Sequence, residues 1–290
     1  MEFHVIIPAY NEESVIDDCL QSLAAQTFTD FRVSMIDDQS TDTTAEIIQR
    51  YVRESPDRFQ LHQFGKVGPG AARNRVAALS EASHLVFMDA DCRADSDWLS
   101  QLAVAYRSKP TAASIGGPHI APPESNPFQL KVELFLKRVA PFVDFYKEPS
   151  GTLRRVRHNP LCNVSYRRDV FIQLNGFRTD LFPGEDFEFD ERLRLMGEAI
   201  YFAPQALVYH HRPEDESSFK KVMYRYGHSQ GRLVKERGPH RLIHYLATPM
   251  RLATAVLPSG FSVEGQSLEA IALKEWIRGF SDGRHSSTSV

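Results

Sequence analysis

No run of the sequence approaches the roughly 20 apolar residues that a membrane-crossing helix requires, so it offers no helical span. Cysteine is scarce. The three present, Cys19, Cys92 and Cys162, cannot all pair and share no metal-binding spacing. That excludes a disulfide framework and fits a reducing compartment. An excess of one charge is missing as well: 34 basic residues face 37 acidic ones, for a net charge of -3. A dedicated nucleic-acid binder would carry a strong basic surplus, so no nucleic-acid partner is expected. The opening Met1-Glu2-Phe3-His4-Val5-Ile6-Ile7-Pro8 lacks the basic start and small-residue cleavage site of a signal peptide, and a cytoplasmic location is the expectation.

What is present belongs to an ordinary folded protein, with 42% hydrophobic and 24% charged residues in 290. The first 120 residues alternate strand and helix patterns. Val5–Ile7, Val33–Ile36, Phe59–His62 and Leu85–Met88 read as short buried strands. Helical periodicity runs over 12–25, through Ile47, Ile48 and Tyr51, from Gly70 to about Ala82, and from about Ser96 to Tyr106, with Ala112–Ile115 following as a strand. Repeated βα units with short connections predict an α/β fold, a mostly parallel sheet covered by helices on both faces. Near Gly116 the rhythm breaks at Pro118, Pro122, Pro123 and Pro127. A helix over Phe128–Val139, a polar linker from Lys147 to Asn159, a strand at Ala199–Phe202, a basic helix at 217–237 and an apolar helix near Leu242–Val256 follow. The expected organisation is one domain over 1–236, divided at 117/118 into two halves. A helical extension over 237–280 and a disordered tail over 281–290 complete it.

Four constellations carry chemistry. Asp89-Ala90-Asp91 directly follows an apolar strand, at the strand end where open α/β sheets bind ligands. Two adjacent carboxylates in a low-dielectric cleft call for a positive body, and a hard divalent ion on a diphosphate answers that. Asp37-Asp38-Gln39-Ser40 ends another strand. These are common turn and cap residues, yet a carboxylate there can also accept from a nucleobase or ribose. Gly65-Lys66-Val67-Gly68-Pro69-Gly70 precedes a helix N-terminus, where free N–H groups favour an anion. Arg73, one turn on, suits either a phosphate or a local carboxylate. Gly184-Glu185-Asp186 opens an acidic segment interleaved with Phe187 and Phe189, a setting in which a carboxylate can act as general base. His210-His211 follows an apolar strand, and only one of two such neighbours faces inward. Cys92, beside the acidic pair, reads first as a small apolar filler.

Five segments in this order resemble the family 2 inverting glycosyltransferases with the GT-A fold. They are Val5-Ile6-Ile7-Pro8-Ala9-Tyr10-Asn11-Glu12-Glu13, Ile36-Asp37-Asp38-Gln39-Ser40-Thr41-Asp42-Thr43, Gly70-Ala71-Ala72-Arg73-Asn74, Phe87-Met88-Asp89-Ala90-Asp91 and Gly184-Glu185-Asp186. Asn163–Arg168 with Gly176-Phe177 resembles the stretch that precedes the catalytic carboxylate in such enzymes, and the likeness covers about residues 4 to 235.

The resemblance implies a metal-dependent, inverting transfer of one sugar from a nucleotide-diphospho-sugar to a hydroxyl acceptor. A glycan or lipid-linked sugar of the cell envelope would be the acceptor. It implies that Pro8, Tyr10 and Glu12 line the nucleotide pocket, that Asp38 holds the nucleobase, that Arg73 flanks the nucleotide and that Asp89 contacts the ribose. Asp91 would ligate Mg²⁺ or Mn²⁺, joined by His210 or, in the other register, by His211. Asp186 would be the base and Glu185 would position the acceptor. Processive synthases of similar fold carry Q-x-x-R-W and membrane helices. Here Tyr224-Arg225-Tyr226-Gly227 stands in that region, which favours single transfer.

Two other functions compete. A sugar nucleotidyltransferase needs a glycine-rich, Arg-containing loop after the first strand, and Pro8-Ala9-Tyr10-Asn11-Glu12 has no glycine. A non-catalytic nucleotide-sugar-binding protein would not need both Asp91 and Asp186. The basic 217–237 helix, with the apolar 242–256 stretch beyond it, reads either as a peripheral contact with the inner face of a membrane or as a helix packed on its own core.

Overall fold

The computed structural model describes residues 1–139, 146, 149–237 and 267–285. It divides into two compact units. The first comprises Met1–Pro122, Asp144–Asp180 and Glu185–His210, and the second Pro123–Val143, Leu181–Gly184 and His211–Val290.

The first unit is built on an eight-stranded sheet. Strands β1 (Phe3–Ala9), β2 (Phe31–Asp37), β3 (Phe59–His62) and β4 (His84–Phe87) lie in the order β3-β2-β1-β4 and are all parallel. Their side chains alternate between two cores. Phe3, Val5, Ile7 and Ala9 of β1, with Val33 and Met35 of β2, face one apolar cluster; Ile6, Ile36, Leu85 and Phe87 face the other. Helices α1 (Ile16–Ala24), α2 (Thr44–Glu54) and α4 (Trp98–Ser108) fill the first cluster. Helices α3 (Pro69–Leu79), α6 (Arg168–Gln173) and α7 (Glu185–Leu195) fill the second. Burial on both faces is why these strands read as continuous apolar runs.

Beyond β4 the sheet turns mixed. Strand β9 (Val164–Arg167) inserts antiparallel between β4 and β6 (Ser114–Gly116). Strand β10 (Ile200–Phe202) pairs parallel with β6, and β8 (Arg154–Val156) closes the edge antiparallel to β10. Thus β8 lies inside the segment expected to be a polar linker, and at three residues it is too short to show a period. A second sheet of three short strands joins β5 (Cys92–Ala94), β11 (Val208–His210) and β7 (His119–Ile120), with β11 in the middle.

The register places the functional ends together. Ala9 pairs with Asp37 and Ile6 with Phe87, so β1, β2 and β4 release their chains at the same edge. The polar strand ends Asp37-Asp38 and Asp89-Ala90-Asp91 therefore share it. At Gly68 the backbone turns through φ 81°, and Pro69 then opens α3 with φ already suited to a helix.

The second unit contains α5 (Pro127–Val139), α8 (Glu216–Arg237) and α9 (Leu268–His285), packed around Val132, Phe135, Phe219, Met223, Ile271 and Ala272. The basic helix expected over 217–237 is α8. Helix α9 continues through His285, past the expected start of a disordered tail at 281. The apolar stretch at 242–256 lies outside the described residues. Among the described residues, no helix is long and apolar enough to cross a membrane.

Helices α8 and α9 approach to backbone contact through two glycines each. A Cβ on Gly231 would lie 2.2 Å from the Phe280 carbonyl oxygen, and one on Gly279 2.1 Å from that of Tyr224. Neither position can hold a side chain without moving the helices apart. Gly279→Leu should therefore cost about 1–3 kcal/mol or more in thermal unfolding, the range for overpacking. Ile277→Ala, on the same helix at a half-exposed position, should stay within about 0.5 kcal/mol. An unchanged midpoint for Gly279→Leu would mean that the two helices do not meet there.

Candidate active site

The edge formed by β1, β2 and β4 gathers the residues expected to hold a nucleotide. Pro8 lies in β1 opposite Ile36. Tyr10 follows it onto the surface, where the Lys66 ammonium stands 4.8 Å from its ring centroid. Glu12 is anchored through its backbone N–H, which donates to Thr44 Oγ1 at 2.8 Å. Asp37 is buried and accepts from the Ser40 N–H and from Gln63 Nε2. Its neighbour Asp38 reaches elsewhere. Asp38 Oδ1 accepts from the Val67 N–H at 3.1 Å, which ties the Gly65–Gly70 loop to the end of β2.

Arg73 meets two carboxylates. Its buried guanidinium donates through NH2 to Asp89 Oδ1 at 2.6 Å and through NH1 to Glu185 Oε1 at 3.1 Å. One side chain of α3 thus connects the end of β4 with the first turn of α7, segments about a hundred residues apart. Next to it, Asn74 clamps the backbone of Phe177, donating to its carbonyl at 2.7 Å and accepting from its N–H at 2.9 Å. Gly176 must be glycine for this. Its φ is +65°, and a Cβ would lie 2.4 Å from Asn74 Oδ1.

Glu185 and Asp186 are neighbours with unlike surroundings. Glu185 is 2% exposed and held by Arg73, whereas Asp186 is 16% exposed. Asp186 Oδ2 accepts from the Leu161 N–H at 3.0 Å, and its Oδ1 accepts from the Phe187 N–H at 2.7 Å. Behind Asp186 stands a group that the sequence did not disclose. Asp190, one turn along α7 and fully buried, accepts from the Asn159 N–H and the Tyr166 hydroxyl, and pairs with His158 Nδ1 at 2.9 Å. His158 Nε2 is 3.9 Å from Asp186 Oδ2. Burial works to lower the His158 pKa, but Asp190 and Asp186 together leave it raised. Spacing along the chain gives no sign of this arrangement, because His158 sits in a segment that reads as linker.

Asp91 meets His210, the last residue of β11, with Oδ2 and Nε2 3.4 Å apart. This identifies His210 as the histidine facing the acidic pair. The carboxylate, the Cys92 thiol and an imidazole nitrogen of His210 lie within 4.8 Å of one another. A hard oxygen and an imidazole nitrogen suit Mg²⁺ or Mn²⁺. The electrostatics support the fit. Burial, then the charges of Asp91 and Asp89, push Glu12 up to about 7. Burial pushes Asp89 up to about 6 although Arg73 opposes it. These carboxyls crowd a site that a cation would relieve. His119 and Cys162, also unforeseen, form a second group with His210.

The family model described as "Glycosyl transferase family 2" matches residues 4–174. The chain is 35% identical over 105 residues to poly(ribitol-phosphate) beta-N-acetylglucosaminyltransferase TarS of Staphylococcus aureus, covering 36% of this chain and 18% of that one. It is 27% identical over 230 residues to glycosyltransferase AglE of Haloferax volcanii, covering 78% and 72% of the two chains. Among solved structures, mannosyltransferase PcManGT from Pyrobaculum calidifontis, in complex with GDP-Man and Mn²⁺, superposes with a TM-score of 0.60 at 19% identity, over 99% of this chain and 76% of that one. TarS 1-349 from S. aureus in complex with UDP-GlcNAc superposes with a TM-score of 0.59 at 18% identity, over 98% and 81%. At such identities the superpositions establish the fold. The matched segment spans less than a fifth of the length of TarS and of the similar Bacillus spizizenii poly(ribitol-phosphate) beta-glucosyltransferase, 18% and 15% respectively.

The raised carboxyls generate a pH prediction. Burial, outweighing Arg73, pushes Glu185 up to about 7, as burial and its acidic neighbours do Glu12. Such groups bind a proton more tightly in the folded chain than in the unfolded one. Their contribution to stability is therefore complete below the unfolded value of about 4.5 and is lost as pH rises through about 7. Over the same window His4 and His84, which burial lowers to about 4, contribute with the opposite sign. The melting temperature of the metal-free wild type relative to that of Glu12→Gln should therefore fall as pH rises from about 4.5 to about 7, and a relative value that rises over that window would contradict the assignment.

Proposed function

The chain belongs to glycosyl transferase family 2, and we propose that it moves one sugar from a nucleotide-diphospho-sugar to an acceptor hydroxyl, with inversion and with the help of Mg²⁺ or Mn²⁺. The observation that carries this reading is the Arg73 guanidinium bonded at once to Asp89 and Glu185. It sets the carboxylates suited to a donor beside those suited to an acceptor.

In this reading Pro8, Tyr10 and Glu12 line the nucleotide pocket, Asp38 receives the nucleobase and Asp89 the ribose. Asp38 also fixes the loop over 65–70, so the nucleobase and the loop beside it share one anchor. Asp91 would hold the divalent ion, with His210 as its second protein ligand. When bound, such an ion neutralises the charge that develops on the departing diphosphate. Asp186 takes the proton of the acceptor hydroxyl as that oxygen attacks the anomeric carbon, on the face opposite the leaving group. Its greater exposure suits that role, while Glu185, locked on Arg73, holds the segment in place. The His158–Asp190 pair stands behind Asp186 and helps to orient it.

The acceptor we propose is a glycan or lipid-linked sugar of the cell envelope. TarS is by its name a poly(ribitol-phosphate) beta-N-acetylglucosaminyltransferase. The basic face of α8 suits an acceptor presented near anionic headgroups.

Asp91→Asn should abolish most turnover without unfolding the chain, because a neutral amide is a poor ligand for a hard cation. Full wild-type activity in excess EDTA would remove the metal from the reaction. Asp186→Asn should slow the chemical step by about 10²–10⁴-fold while donor affinity stays near that of the wild type. Loss of donor affinity with normal turnover of bound donor would mean that another carboxylate is the base. The anomeric proton of the product, followed by NMR, should show inversion; retention would contradict a single displacement.

A further inference from the structure

We propose that the chain carries a second metal site, for a four-coordinate transition ion of the zinc type, on His119, Cys162 and His210. The donor atoms of these three residues all lie within 4.8 Å of one another. Three elements distant in sequence deliver them. On the central strand β11, His210 is directly opposite Cys92 of β5, and Val208 is opposite His119 of β7. Residues two apart on a strand share a face, so His119, His210 and Cys92 stand on one side of this small sheet. Cys162 enters from the 3₁₀ turn Leu161–Asn163, which is pinned where it sits. The amide of Asn163 donates to the carbonyls of Pro118 and Ala206, and its oxygen accepts from Trp98 Nε1.

The spacing fits a tetrahedral ion. Zinc–nitrogen bonds of about 2.0–2.1 Å at a tetrahedral angle put two nitrogen ligands about 3.3–3.4 Å apart. His119 Nδ1 and His210 Nδ1 are 3.3 Å apart, beyond the common range of about 2.7–3.2 Å for a hydrogen bond from a ring N–H. Their rings are tilted at 43°, so the two nitrogens converge from different directions rather than stacking. One thiolate and two imidazoles are a borderline-soft set that prefers Zn²⁺ or Co²⁺ to Mg²⁺ or Mn²⁺. Three protein ligands leave a fourth position for water. His119 and Cys162 are buried, while the more exposed His210 marks the side from which an ion enters.

The site adjoins the acidic pair and shares one ring with it. His210 turns Nδ1 towards His119 and Nε2 towards Asp91. An imidazole that ligates an ion through neutral Nδ1 carries its proton on Nε2. With the second site filled, His210 donates a hydrogen bond to Asp91 and cannot ligate an ion there. The two uses of His210 exclude each other, which makes zinc an antagonist of the hard-metal site.

Cobalt titration of the metal-stripped full chain tests this without any turnover. The expected result is a near-ultraviolet thiolate-to-cobalt charge-transfer band with the intense visible bands of a four-coordinate ion. Both should saturate at about one Co²⁺ per chain and be displaced by Zn²⁺. Asp91→Asn and Cys19→Ser, at a cysteine outside the proposed ligand set, should keep these bands. Cys162→Ser should lose the charge-transfer band, and His119→Gln should weaken Co²⁺ binding by about tenfold or more, with circular dichroism checking that both remain folded. A wild type showing only the weak spectrum of a six-coordinate ion would overturn the proposal. So would bands that survive Cys162→Ser and His119→Gln, or that vanish in Asp91→Asn. If the bands appear as expected but the metal-stripped chain, given Mn²⁺ and no Co²⁺ or Zn²⁺, turns over no nucleotide sugar, the second site stands and the functional reading falls.

Discussion

The buried guanidinium of Arg73 is the interaction on which the arrangement of this site depends. It bonds to Asp89 at the end of β4 and to Glu185 at the start of α7, with Arg73 and Glu185 enclosed and Asp89 partly open. Charges taken out of water are costly, and a pair repays that cost only when its geometry is good. Here two carboxylates share one cation, and both still bind protons more tightly than carboxyls in water do. Burial is what raises both, so Arg73 offsets only part of the cost of enclosing them.

The sheet explains how such carboxylates come to face one another. Parallel strands β1, β2 and β4 end at a common edge, and α3 returns Arg73 to it. Antiparallel β9, inserted next to β4, carries the chain back along the sheet, and α7 follows later with its first turn at Arg73. The three-stranded sheet performs the same service for His210, setting β11 beside β5 so that the residue after Asp91 pairs with His210 itself. Asn74 and Asn163 act as fixed pins, the first holding both backbone groups of Phe177 and the second the carbonyls of Pro118 and Ala206.

Much of this was legible in the sequence. The central parallel strands are buried on both faces, so Val5–Ile7 and Leu85–Met88 announce themselves as apolar runs, and the polar residues that end them stand out. The pattern of Asp37-Asp38, Asp89-Ala90-Asp91 and Gly184-Glu185-Asp186 therefore identifies the edge where the site lies. Arg73 is visible as a cation but not as a bridge, because its partners are set by tertiary packing. The strands β5, β7, β8 and β11 have two or three residues each and leave no period to read. With them goes the position of His119, and Cys162 lies on a 3₁₀ turn of three residues that is no easier to read. His158 and Asp190 are hidden for another reason: each looks like an ordinary polar residue, and only the fold brings them behind Asp186.

Arg73 offers the most direct measurement of the account's central claim, that one guanidinium binds the donor side of the site to the acceptor side. Arg73→Gln keeps hydrogen-bonding capacity and removes the charge, leaving Glu185 buried without compensation. Breaking a buried pair in this way typically costs about 3–5 kcal/mol. Denaturant unfolding of this variant beside Arg73→Gln/Glu185→Gln should show a large loss in the single variant, of which the second substitution restores a substantial part. Equal stability of the wild type and Arg73→Gln, or a double variant weaker by the full sum of its single effects, would contradict the account.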